Sequence, residues 1–234
     1  MRQKKTSRRA YEDGSEASWT SRRAVLAQAG GLVLTTAISQ GGRAQSGLSP
    51  DAALTRLMTG NRRYMAKQMR SFDEDLAIMR ENTVAKQEPF AAVLSCADSR
   101  VPVELVFDEA IGHIFVTRVA GNICTPEIIA SLEYGAAVLG TAAILVLGHE
   151  GCGAVQAALA GKTMPGQISA LYPSLRPAVG PAGTDLDAAV KANAKFQANL
   201  LTASPLLAGL VSQGRLRIAS GYYSLGSGLV TLLS

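Results

Sequence analysis

Short, uniformly apolar runs alternate along this chain with longer stretches whose apolar residues recur every three or four positions. Ala91-Ala92-Val93-Leu94-Ser95 is a brief run that ends at Cys96, and its length predicts a buried parallel strand. Ile114 to Val119 predicts a second strand. Ala142 to Gly148 is apolar throughout and predicts a third, covered on both faces. Arg215 to Tyr223 predicts a fourth. The turn Ser224-Leu225-Gly226-Ser227-Gly228 then sends Leu229 to Leu233 back as an edge strand. Helical periods fall between them. Ser49-Pro50-Asp51-Ala52 opens a helix carrying Leu54, Leu57, Met58, Tyr64 and Met65. Others are predicted from Pro126 to Leu139, from Gly151 through Leu159, from Leu186 to Leu201 and from Pro205 to Gln213. Residues 71–88 are polar and read as a short helix and loop. Residues 161–184, rich in Pro and Gly, read as an excursion rather than an element. Strands alternating with helices predict an α/β fold: a mostly parallel four-stranded sheet, helices on its faces, and a C-terminal antiparallel edge strand. No internal repeat is visible.

Composition narrows the reading. At 234 residues and 47% hydrophobic, the chain can bury one good core. The formal charge of +5 is local. Residues 1–44 hold eight basic and three acidic side chains, which leaves fifteen of each over 45–234. A neutral body excludes a basic surface built for nucleic acid or anionic lipid. Residues 1–44 read as a leader. Thr20-Ser21-Arg22-Arg23-Ala24-Val25-Leu26 is a twin-arginine pattern before an apolar stretch reaching Ile38, and Gly42-Arg43-Ala44 supplies small residues for a signal peptidase. The expectation is a twin-arginine signal peptide over 1–44, a single domain over 45–234, and a periplasmic or otherwise exported product. The competing reading is a cytoplasmic protein with a basic tail. The apolar run of about fifteen residues is too short for a membrane span, so no stable span is expected in the mature chain.

Candidate chemistry collects at two strand ends. Cys96-Ala97-Asp98-Ser99-Arg100 follows the first strand, and Gly148-His149-Glu150-Gly151-Cys152-Gly153 follows the third. Two thiols and an imidazole form a three-donor set that suits Zn²⁺ and leaves its fourth position open. If strands one and three are neighbours, Cys96 and His149 face each other across the crevice where strand order reverses. Arg100 can hold the Asp98 carboxylate bidentately. Asp98 would then accept a hydrogen bond from a zinc-bound hydroxide, which zinc makes available by lowering the pKa of water to about 7. His113 reads as a loop or surface residue, and Cys124 as a small buried side chain rather than a ligand.

The C-A-D-S-R and G-H-x-x-C-G motifs, with Leu54-x-x-Leu57-x-x-Gly60-Asn61-Arg62-Arg63-Tyr64 upstream and Glu133-Tyr134 before the second motif, resemble the β-class carbonic anhydrases. The resemblance implies one Zn²⁺ per chain on Cys96, His149 and Cys152, a catalytic pair of Asp98 and Arg100, and reversible hydration of CO₂ to bicarbonate and a proton. Gln87, Phe115 and Tyr134 stand where the plant-like branch lines its CO₂ pocket, with Phe115 and Tyr134 acting across a subunit boundary. Spacing by itself assigns those three no role. The regulated branch carries Trp where this chain has Val93, which implies no bicarbonate-induced switch; in the regulated form the equivalent of Asp98 itself ligates zinc. The family forms dimers or multiples of them, so a homodimer or higher homo-oligomer is expected. Two other functions are compatible with the same residues: hydrolysis of a CO₂ analogue such as CS₂ or COS, and a non-catalytic zinc-binding protein.

Overall fold

The structure is a computed structural model that describes residues 47–71, 84 and 86–234. The leader reading and most of the polar stretch 71–88 lie outside those residues.

The described chain enters through α1 (Pro50–Met65). The Ser49 hydroxyl accepts from the Ala52 amide, and Pro50 occupies the first turn, where its missing N–H costs nothing. Ala53, Leu54 and Leu57 face the core. Next come β1 (Ala91–Ser95), a single turn α2 (Val103–Val106), β2 (Ile114–Arg118), α3 (Pro126–Ala137) and β3 (Ala143–His149). The chain continues through α4 (Gly153–Ala160), α5 (Tyr172–Val179), α6 (Leu186–Thr202), α7 (Pro205–Ser212), β4 (Arg217–Tyr223) and β5 (Val230–Leu233). Among the described residues no helix is long and apolar enough to cross a membrane.

The strands form one sheet in the order β2-β1-β3-β4-β5. All neighbours are parallel except β4 and β5, which pair antiparallel. This matches the expected architecture. The continuous apolar runs serve two cores, because side chains alternate across a strand. Ala91, Val93, Leu145 and Leu147 pack under α1 and α2 with Leu57 and Phe107. Ala92, Leu94, Ile144 and Val146 pack against α3, α6 and α7 with Leu132, Leu201 and Leu207. A third cluster covers the carboxyl end of the sheet, where Ile123, Val155, Leu175, Val190 and Tyr222 surround Cys96 and Cys152.

One expectation needs correcting. Residues 161–184 are not only an excursion, because they contain α5 and two 3₁₀ turns, Ile168–Leu171 and Gly180–Ala182. Tyr172, Leu175, Ala178 and Val179 keep a helical period and are buried. Pro173 lies in the first turn of α5, where proline is tolerated, and Pro177 sits two residues from its end.

A half-buried ion cluster ties α1 to the loop before β2. Arg56 donates to both carboxylate oxygens of Glu109, at 2.9 and 2.5 Å, and its guanidinium lies 4.2 Å above the Phe90 ring. His113 stands 3.2 Å from the same carboxylate. His113 is thus a structural partner at the amino end of the sheet, distant from the metal chemistry. Burial opposes the charge on Glu109, but the hydrogen bonds from His113 and Arg56 outweigh it and hold the carboxyl below its ordinary range. A depressed folded pKa stabilises above the unfolded value of about 4.3 and the gain is lost as pH falls. Glu109→Gln is therefore expected to cost about 2 kcal/mol at neutral pH. Denaturant melts of the two proteins should converge as pH falls below the ordinary carboxylate range; a gap independent of pH would show that packing, not charge, sets the cost.

Candidate metal centre

The site lies where the sheet's connectivity reverses. From β1 the chain moves outward to β2 and then returns to place β3 on the other flank of β1. The crevice between the carboxyl ends of β1 and β3 is the place where such sheets bind ligands. Cys96 follows the last residue of β1, and His149 is the last residue of β3. Cys152 caps α4, where the amides of Ala154 and Val155 favour its thiolate.

The ligating atoms of Cys96, His149 and Cys152 all lie within 4.8 Å of one another, and all three residues are buried. The two sulfurs are 4.0 Å apart. A tetrahedral zinc ion with Zn–S bonds near 2.3 Å holds two sulfurs about 3.8 Å apart, so this spacing fits. His149 Nδ1 donates to the Glu150 carbonyl at 2.9 Å, and its buried Nε2 has no hydrogen-bond partner among the described residues. A buried, orphaned ring nitrogen aimed at two thiols is the mark of a metal ligand whose other nitrogen is held by an outer partner.

The electrostatics of the two thiols agree. The hydrogen bond from Cys152, aided by His149 and the Gly121 amide, draws the Cys96 thiol well below the ordinary range despite burial. The bond to the Cys96 thiolate and burial push Cys152 up. The pair thus holds one proton that a divalent cation can displace. Two thiolates and a neutral imidazole then balance a 2+ charge.

Asp98 stands beside the cluster, its Oδ2 3.9 Å from His149 Nε2. Arg100 grips it with two side-chain bonds, Nε to Oδ1 at 3.0 Å and a terminal nitrogen to Oδ2 at 2.8 Å. The Arg100 amide adds a third at 2.9 Å. These bonds hold the Asp98 carboxyl well below the usual carboxylate range. Arg100 also reaches the Gly151 carbonyl at 3.3 Å, joining the pair to the loop between His149 and Cys152.

The remaining candidates fall elsewhere. Phe115 and Tyr134 meet, with ring centroids 6.3 Å apart. Phe115 pairs with Ala92, however, four residues short of Cys96 and about 13 Å down the strand. Gln87 is exposed and precedes β1, at the opposite end of that strand from Cys96. Within one protomer none of the three joins the metal residues. Cys124 is outside the cluster as well. It donates from its amide to Gln197 Oε1 and from its sulfur to the Gln197 carbonyl, and burial pushes its thiol up to about 12.

Two residues near the site escaped sequence reading. Glu150 binds the Ser224 hydroxyl and the Gly226 amide through its carboxylate, while its carbonyl takes His149 Nδ1. Arg118 binds the carbonyls of Cys96 and Asp98. Arg118 belongs to no motif, and Glu150 stands at an unspecified position inside G-H-x-x-C-G, so neither residue type is marked by the motifs.

An open, mostly parallel α/β sheet with a three-donor set that could hold a metal ion at its switch point, flanked by a clamped carboxylate, is an arrangement found in one class of enzyme. Comparison with known proteins gives the family. The model described as "Carbonic anhydrase" matches residues 91–230, and the chain belongs to that family, in its β class. It is 40% identical over 121 residues to carbonic anhydrase 2 of Mycobacterium tuberculosis (strain CDC 1551 / Oshkosh), a match covering 50% of this chain and 58% of that one. The chain thus spans a little over half the length of that relative. It is 34% identical over 170 residues to a carbonic anhydrase of Pseudomonas aeruginosa, covering 65% of this chain and 77% of that one. Among solved structures, the Coccomyxa β-carbonic anhydrase in complex with acetazolamide matches with a TM-score of 0.61 at 28% identity, covering 77% of this chain and 86% of that one. A tetrameric β-carbonic anhydrase of Sordaria macrospora shares the fold, with a TM-score of 0.63 at 20% identity over 77% of this chain and 96% of that one.

Proposed function

We propose that this chain catalyses the reversible hydration of CO₂ to bicarbonate and a proton, with one zinc ion held by Cys96, His149 and Cys152. The observation that carries the reading is the Arg100-clamped Asp98 beside a buried three-donor set that has no fourth Cys or His among the described residues. A structural zinc site would close that fourth position. Zinc bound there supplies a Lewis acid that brings the pKa of water to about 7, making a nucleophile available at neutral pH.

The protein's own groups do the rest. His149 keeps Nε2 free for the metal by giving its Nδ1 proton to the Glu150 carbonyl. Asp98, ionised and fixed by Arg100, accepts a hydrogen bond from the attacking water and so orients its lone pair toward the carbon. The closed Asp98–Arg100 pair also supports the unregulated, plant-like branch, in which Asp98 stays off the metal. The sequence holds two histidines, and His113 is engaged with Glu109, so the released proton passes to water or buffer rather than to an imidazole shuttle.

The test is the CO₂ hydration rate of the zinc-loaded mature chain by stopped flow, with COS and CS₂ hydrolysis measured beside it. A fast rate that rises through one ionisation near neutrality supports the proposal. Zinc-bound protein inactive on CO₂ but active on COS or CS₂ would assign it to the analogue hydrolases, and inactivity on all three would make it a non-catalytic zinc protein.

We further propose a homodimer or a multiple of it. On α3, Tyr134 is 46% exposed, and Val138, which follows the helix's last residue, is 59% exposed; the two are an apolar pair one turn apart that a second copy would cover. A second copy is also what would bring Gln87, Phe115 and Tyr134 to a substrate pocket. Light scattering should give at least twice the protomer mass, and a monomer would remove the pocket role of all three residues. Export through the twin-arginine route is the proposed localisation. N-terminal sequencing of the mature protein should find cleavage near Ala44, and a double variant carrying Arg22→Lys and Arg23→Lys should stay in the cytoplasm.

A further inference from the structure

Arg118, the last residue of β2, puts its guanidinium on the backbone of the Cys96–Asp98 turn. Its Nε donates to the Cys96 carbonyl at 2.8 Å, and a terminal nitrogen donates to the Asp98 carbonyl at 2.5 Å. Among the described residues Arg118 makes no ion pair with a carboxylate. A planar fork that bonds the carbonyls of residues i and i+2 fixes the dihedrals between them, which a flexible ammonium cannot do. Those dihedrals set the direction of the Asp98 side chain.

The neighbouring contacts show what depends on Arg118 and what does not. The Val119 amide donates to the Ser95 carbonyl, and the Gly121 amide donates to Cys96 Sγ at 3.3 Å. These anchor Cys96 itself. Beyond Cys96, the turn is held by Arg118, by the Val101 amide on the Asp98 carbonyl at 3.1 Å, and by the Arg100 amide on Asp98 Oδ1, with the Arg100 side chain tying it to the Gly151 carbonyl; of these, Arg118 is the one side chain that bonds the main chain on both sides of residue 97. Asp98 sits in a delicate place. Its Oδ2 is already 3.9 Å from the ring nitrogen of a metal ligand, so a small rotation would bring the carboxylate onto the metal position.

We propose that Arg118 is a positioning residue: its grip on the Cys96 and Asp98 carbonyls keeps Asp98 on Arg100 and away from the metal's open position. The inference rests on the reading that Asp98 works beside a bound metal. Loss of the grip should free residues 97 and 98 while Cys96 keeps its place, so metal binding and Asp98 positioning should separate.

The experiment uses the full mature chain with Co²⁺ in place of zinc, comparing wild type with Arg118→Ala and Arg118→Lys. Cobalt reports its ligands through visible absorption and needs no turnover, so it is informative even if wild type proves inactive on CO₂. Arg118→Ala should still bind one Co²⁺ per chain, with a changed spectrum as the carboxylate enters the coordination sphere. Outer-shell substitutions cost about 10–100-fold, so kcat for CO₂ hydration of the zinc form should fall by that order, with KM changing less. Guanidinium in the buffer should restore part of both signals, and Arg118→Lys should lie between the two. Because Arg118 is argued to act through Asp98, its effect should vanish in an Asp98→Ala background. A spectrum and kcat within about twofold of wild type in Arg118→Ala would overturn the proposal. So would a loss that guanidinium does not restore, or one of full size in the Asp98→Ala background.

Discussion

Asp98→Asn should bind zinc as well as wild type and lose CO₂ hydration by a factor on the order of 10²–10⁴, the usual range for a positioned proton-handling group. The substitution changes little in volume. Asparagine still offers Arg100 one carbonyl oxygen, so the turn should persist, but the second acceptor becomes an NH₂ donor that faces a guanidinium and must turn away. It then cannot both stay on Arg100 and accept a hydrogen bond from water at the metal's open side. Stopped-flow hydration and zinc content on the same sample decide the matter. An unaltered rate at full zinc would place the Asp98–Arg100 pair outside the chemistry. The pH dependence adds a check with a definite sign. Arg100 holds the Asp98 carboxyl well below the ordinary range, so Asp98 is ionised throughout mildly acid and neutral conditions. Any fall in wild-type activity between about pH 8 and pH 6 therefore reports the ionisation near 7 that zinc confers on water, not protonation of Asp98.

The sheet and the thiol–imidazole cluster were legible in the sequence for related reasons. Strands buried on both faces show as unbroken apolar runs, and β1 and β3 do so almost without a polar residue. The donors stand immediately after those runs, and thiols and an imidazole at two strand ends are conspicuous in a chain with three cysteines and two histidines. What stayed hidden depends on backbone groups or on folding context. Arg118 binds main-chain carbonyls, and Glu150 binds a main-chain amide and one serine hydroxyl distant in sequence, so no charged partner marks either. In α5, Pro173 and Pro177 masked a period that Tyr172, Leu175 and Val179 carry. Gln87, Phe115 and Tyr134 were placed by family likeness, and within one protomer they lie away from the metal residues because β1 separates its two ends by its full length.

The stretch Gly60-Asn61-Arg62-Arg63-Tyr64 shows the same limit and yields the second large effect. In the sequence it reads as part of a helix with a family likeness; in the fold it is where α1 is fastened down. Asn61, fully buried, donates to the carbonyls of Val106 and Gly228 and accepts from the Val230 amide. Arg63 donates to the side chain and carbonyl of Asp108. Tyr64 meets the Tyr223 hydroxyl at 3.3 Å, on the strand that pairs with β3 at His149. These contacts require α1 to lie against the end of α2, and Gly60 permits it. A Cβ at Gly60 would overlap the Phe107 carbonyl oxygen and stand 2.7 Å from its carbon. Both atoms are backbone, so no side chain can swing aside. Helix propensity favours Gly60→Ala by about 1 kcal/mol, whereas overpacking a close contact costs about 3 kcal/mol or more. The clash should win, with a net loss of at least about 2 kcal/mol and a melting temperature lower by at least about 4–8 °C. Thermal and denaturant melts of Gly60→Ala would measure it, with Gly209→Ala as the control. Gly209 lies within α7, where an added Cβ meets nothing within 4 Å, so there the propensity gain should stand unopposed. A stabilised Gly60→Ala would mean that α1 can lift from α2 without loss, and then the Asn61 and Arg63 bonds could not be what fastens it.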